Sequence, residues 1–124
     1  MSFVPPDLMS KLARMSREEA DRMPFGIVKV DAVGRIQLYN HYESQLAGVP
    51  VSTAEGKNFF TDIAPCTNNK LFFGRFKKGV EIGELDASFN YTFTYKMKPT
   101  NVAIHLKHDK ESGSSWIFVQ AKAA

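Results

Sequence analysis

Cysteine is all but missing from this chain, and the one present, Cys66, has no partner for an intrachain disulfide. That suits a reducing compartment, and a cytoplasmic location is expected. Long apolar runs are missing too. The first 23 residues carry Pro5, Pro6, Asp7 and the charged run Arg17-Glu18-Glu19, without the apolar stretch a signal peptide needs. No segment suits a bilayer span, so no membrane association is expected, and the glycosylation sequon Asn90-Tyr91-Thr92 carries no weight without secretion. Charge of one sign is scarce. Sixteen basic residues against 13 acidic ones leave +3, too little to argue for nucleic acid. The densest basic group, Arg75, Lys77 and Lys78, is interleaved with Phe73, Phe76 and Val80, as on a solvated helix face.

Catalytic signatures are also lacking. There is no phosphate loop, zinc spacing or HExxH, and His41, His105 and His108 fall in no recognisable arrangement with Cys66. No enzyme is expected. What the chain does have is phenylalanine, ten in 124 residues. An aromatic-rich β core would account for most of them. A pocket lined for a flat aromatic ligand is the sharper reading.

Residues 1–24 predict two short helices. Asp7 can cap the first, in which Leu8, Leu12 and Met15 recur at i, i+4 and i+7. Ser16 and Glu19 form a capping box for the second, and Pro24 ends it. Neither helix is long enough to stand alone, so 1–24 is expected to be a cap packed weakly on a larger unit, 25–124. From Phe25 the pattern is that of strands. Phe25 to Asp31 and Arg35 to Tyr39 flank the turn residues Ala32, Val33 and Gly34. Asn40 to Gly48 is a capped short helix, and Ser52 with Glu55 reads as a further capping box. Leu71 to Ile82 has helical periodicity and stops at Gly83. Phe89 to Met97 then alternates aromatic and polar residues, followed by Asn101 to His108, a polar turn over Asp109 to Ser115, and Trp116 to Gln120. Two strands, a helical middle and three strands define an α+β domain with antiparallel pairing.

One segment is more specific than any of this. Gly56-Lys57-Asn58-Phe59-Phe60-Thr61-Asp62-Ile63-Ala64-Pro65-Cys66-Thr67 resembles the chromophore-attachment segment of the photoactive yellow proteins, blue-light receptors of the PAS superfamily. Further pieces line up without gaps from Phe25 to Val119, among them Leu38-Tyr39-Asn40, Glu43, Tyr91-Thr92-Phe93, Met97 and Trp116. The resemblance implies a PAS fold, with a five-stranded antiparallel sheet, helices over one face and an N-terminal helical cap. It implies that Cys66 carries 4-hydroxycinnamic (p-coumaric) acid as a thioester, and that Tyr39 and Glu43 bond its phenolic end. Phe59, Phe60 and Phe93 would pack near it, and Met97 matches a residue that resets the isomer in the dark. The phenolate must then be the ionised group while Glu43 stays protonated, the reverse of their acidities in water, near ~10 and ~4.3. Illumination would isomerise the pigment, Glu43 would give up its proton, and the buried carboxylate would loosen the cap.

The chain departs from the family at Ala47, where a threonine hydroxyl commonly supports the tyrosine, and at Val49, where an arginine commonly shields the pocket. Tyr42 replaces a small residue and could fill the space near Ala47 or return a hydroxyl. Altered colour, phenolate acidity and dark recovery are expected. The rival reading is a PAS module that binds another ligand, or a protein, without covalent pigment. With no output domain visible, the signal is expected to pass to a separate, unidentified protein, with a monomer the default state.

Overall fold

The structure is a computed structural model that describes residues 3–94 and 98–122. Its centre is one antiparallel sheet in the order β2-β1-β5-β4-β3. Strands β1 (Gly26–Val30) and β2 (Ile36–Tyr39) form the expected hairpin, with Val28 opposite Tyr39. Asp31 Oδ1 closes its turn by accepting from Val33 N and Arg35 N, and Gly34 takes the left-handed φ of 93° that follows. β3 (Asp86–Phe93) pairs with β4 (Thr100–His108), which pairs with β5 (Ser115–Ala121), and β5 returns to lie beside β1. β3 starts three residues before the expected Phe89, because Asp86 finds a register partner in Lys107. Its alternation is as expected: Phe89, Tyr91 and Phe93 are more buried than Ser88, Asn90 and Thr92. Met97 and Tyr95 lie outside the described residues.

Each face of the sheet carries its own core. Along β5, Ile117 and Val119 join one apolar cluster while Trp116 and Phe118 join the other, as the period of two requires. The first cluster lies under α3 (His41–Ala47), α4 (Val51–Ala54) and α5 (Phe73–Ile82), and contains Phe59, Phe60, Phe72 and Phe76. The second is covered by the N-terminal segment, whose Leu8, Leu12 and Ala20 bury against Phe25, Ile27, Trp116 and Phe118.

The helix ends repay attention to their chemistry. Asn40 caps α3 by accepting from Glu43 N, and Gly48 ends it at φ 70°. Ser16 and Glu19 make both bonds of the capping box at α2 (Arg17–Asp21). Two expected caps do not form. α1 (Pro6–Met9) starts at Pro6 behind Pro5, so Asp7 sits inside the first turn and caps nothing, and the chain breaks into a separate 3₁₀ turn at Leu12–Arg14. α4 likewise starts directly after Pro50, which places Ser52 inside the helix and Glu55 beyond its end. In both cases proline, with its fixed φ and no N–H to satisfy, sets the start.

Candidate functional site

The segment that carries Cys66 is shaped by one asparagine. Asn58 Oδ1 accepts from Phe60 N (2.9 Å) and Thr61 N (3.2 Å), while its Nδ2 donates to Val33 O (2.8 Å). These bonds fasten a single π-helical turn, Phe59–Ile63, to the β1–β2 hairpin. A 3₁₀ turn, Pro65–Thr67, follows and holds Cys66. Its carbonyl oxygen accepts from Tyr91 OH at 2.5 Å and from Asn69 Nδ2 at 3.1 Å, so β3 fixes the backbone at the thiol.

Cys66 faces a cavity of about 140 Å³. An apolar cavity of ~150 Å³ accepts a benzene ring, so the volume is that of one aromatic group. Tyr39 enters from the end of β2 and Glu43 from the first turn of α3, with Ala47 and Val49 at the end of that helix. Phe59 and Phe93 supply aromatic walls. Seven expected site residues therefore meet at one cavity.

Tyr42 is not among them. Its side chain points away into a surface groove with Met23, His41 and Leu46, and its hydroxyl accepts from Ala121 N at 3.3 Å. It neither fills the space beside Ala47 nor returns a hydroxyl there; one step along a helix turns a side chain by about 100°. Phe60 also packs elsewhere, against Phe73 and Phe76 at ring separations of 4.6 and 4.8 Å. Four lining residues escaped the sequence reading: Thr53, Asp62, Ile63 and Ala64. Three of these lie inside the Gly56–Thr67 segment and could have been taken from it. Thr53 has no such signal, and it is the one lining residue besides Tyr39 that offers a hydroxyl among the described residues.

The electrostatics of the cavity are unusual. Glu43 is 1% exposed, and burial pushes its carboxyl up to about 8, so it is protonated at neutral pH. Tyr39 is fully buried, and desolvation first, then the nearby Glu43, pushes its phenol well above its ordinary value. Tyr39 OH and Glu43 Oε1 are both buried without a hydrogen-bond partner. Two such groups cost several kcal/mol together if nothing accepts from them. Both hydroxyls are donors left free for an oxygen acceptor inside the cavity. No histidine lines it among the described residues. His105 lies instead between Asp86 Oδ1 (2.5 Å) and Ser88 Oγ (3.1 Å), and His108 against Ser115.

An antiparallel sheet of this order, with helices over a ligand-sized cavity, defines a PAS-type domain. The chain belongs to the photoactive yellow protein family. It is 42% identical over 118 residues to the photoactive yellow protein of Halochromatium salexigens, covering 95% of this chain and 94% of that one. It is 42% identical over 120 residues to that of Rhodothalassium salexigens, covering 97% and 96%. Among solved structures it is similar to the photoactive yellow protein domain of the sensor histidine kinase Ppr from Rhodospirillum centenum, with a TM-score of 0.84, 40% identity, and 90% of this chain and 97% of that one covered. No protein-family model matches the chain.

Proposed function

We propose that this protein is a blue-light photoreceptor that carries p-coumaric acid as a thioester on Cys66. The observation that carries the reading is the pair of buried, unpartnered donors, Tyr39 OH and Glu43 Oε1, in an aromatic-sized cavity that also takes in Cys66. The pocket suits a planar molecule with an anionic or strongly accepting oxygen at one end and a point of attachment to sulfur. When bound, the pigment supplies visible absorption and a light-driven isomerisation.

The protein's own residues do the rest. Tyr39 and Glu43 would donate to the phenolic oxygen and hold it ionised, and Glu43 keeps its proton because burial disfavours its carboxylate. The pigment's phenol and Glu43 would share one buried charge and titrate as a unit. Were that acceptor oxygen displaced, Glu43 would be the group placed to give up a proton, from its carboxyl. Glu43 would then be a buried carboxylate, a state costing several kcal/mol without partners. Glu43 N and Ile27 N both donate to Asn40 Oδ1, and Asn40 Nδ2 donates to Ala20 O (2.7 Å) and Phe25 O (3.0 Å). Strain at Glu43 thus bears on residues 1–24, which we propose act as a releasable cap on 25–124. Exposure of the apolar face under Leu8 and Leu12 would signal to a separate protein.

The test is reconstitution. Apoprotein mixed with an activated p-coumaroyl donor is expected to turn yellow, gain the mass of one acyl group, then bleach and recover under blue light. Cys66→Ala abolishes the adduct. A soluble, folded protein that forms no adduct would make the chain a PAS ligand-binding or interaction module instead, and turnover of the donor would make it an enzyme.

A further inference from the structure

β2 lies at the edge of the sheet, and its outer side needs partners. At its start the backbone of the following loop provides them: Ile36 N donates to Lys57 O (2.8 Å) and Gly56 N to Ile36 O (2.9 Å), and in the turn just before it Phe59 N donates to Gly34 O (2.8 Å). At Tyr39 the pattern changes. There the amide donates to a side chain, Glu55 Oε2, at 3.0 Å. The same oxygen receives Arg17 Nη2 at 2.6 Å. Arg17 is the first residue of α2, in the N-terminal segment, and Glu55 follows the last residue of α4. One carboxylate oxygen therefore joins the strand end that aims Tyr39 into the cavity to the segment on the opposite face of the sheet.

We propose that Glu55 is a positioning residue for the phenolic end of the cavity, and that Arg17 completes this position from the N-terminal segment. Glu55 fixes the Tyr39 backbone, and hence where the ring enters. Arg17 neutralises the charge that does so. With Val49 bringing no cation to the cavity, the Arg17 guanidinium is the positive group tied nearest to Tyr39 by hydrogen bonds among the described residues. Detachment of the N-terminal segment leaves a bare carboxylate beside the strand end, so the state of that segment is written back into the cavity. The pigment-based readout rests on the photoreceptor reading; the link between the three residues does not.

The experiment is a double-mutant cycle of Arg17→Gln and Glu55→Gln, read in two ways. In reconstituted protein, the pH midpoint at which the pigment's visible band is lost is measured, with Tyr39, Glu43 and Asp62, the other ionisable side chains at the cavity, unaltered. Arg17→Gln leaves an unpaired negative charge and raises the midpoint by several tenths of a pH unit. Glu55→Gln leaves an unpaired positive charge and lowers it by a similar amount, and the double variant returns close to the parent. A purely structural role would move both singles the same way. In pigment-free protein, amide exchange over residues 8–21 and at Tyr39 is followed. Each single variant speeds exchange over 8–21 about two- to fivefold, and the double is no faster than either. Midpoint shifts of one sign, or exchange effects that multiply, overturn the proposal. If the parent takes up no pigment, the photoreceptor reading fails and the exchange cycle alone decides. Faster Tyr39 exchange in Arg17→Gln then supports the link, and unchanged exchange overturns it.

Discussion

The carboxyl of Glu43 occupies the space that a side chain at Gly26 would fill. A Cβ at position 26 would run into Glu43 Oε1 and come within 3.2 Å of Val119 Cβ. Gly26 opens β1, beside the strand that delivers Val119, so neither neighbour can withdraw easily. The absence of a side chain at 26 is part of what holds the acidic donor in place.

Gly26→Ala therefore acts on the site rather than on the backbone. It is expected to destabilise the fold by about 1–3 kcal/mol, the usual cost of overpacking. In reconstituted protein it is also expected to shift the visible band, because Glu43 must turn. Denaturant unfolding and an absorption spectrum check both parts. An unshifted band would mean that the carboxyl is not the phenolic donor.

The pH dependence of stability follows from Glu43. Its carboxyl titrates at about 8 in the fold against an ordinary value of 4.5. Between those limits the folded protein holds a proton that the unfolded chain has lost, so stability falls as pH rises through this window. Below 4.5 and above 8 the group contributes no slope. Within the window its share is at most about 1.4 kcal/mol per pH unit. Urea unfolding of pigment-free protein at several pH values is expected to show the decline, and Glu43→Gln to flatten it.

Thr53 tests the tuning of the cavity. With Ala47 lacking a hydroxyl, Thr53 is the remaining small donor among the described lining residues. Thr53→Val is expected to raise the pH at which the reconstituted pigment loses its visible band, by up to about one unit, because a neutral hydrogen bond contributes ~1 kcal/mol. Ala47→Thr is expected to lower it. A titration of colour against pH decides both.

Local chemistry made much of this fold readable. The hairpin at Gly34, the cap at Asn40 and the box at Ser16 and Glu19 are short-range devices, and each stands where its residues predict. The Ser-x-x-Glu pattern at Ser52 failed because it does not report the proline two residues upstream. Tyr39, Glu43 and Cys66 could be assembled into a site only through the family resemblance. Their spacing shows no reason for a strand end, a helix turn and a 3₁₀ turn to converge. Tyr42 was misjudged because its place beside Glu43 in sequence says nothing of the helix face it takes. Glu55 was misread more instructively: a residue expected to cap a helix instead terminates a strand.

The division of the sheet's side chains, Ile117 and Val119 one way and Trp116 and Phe118 the other, separates two tasks that a single core would confuse. Were residues 1–24 released as proposed, one flank would be stripped bare while the other kept its contents dry. A messenger working in that way would change its outer shape without letting water reach the chemistry that prompted the change, and so could be used again.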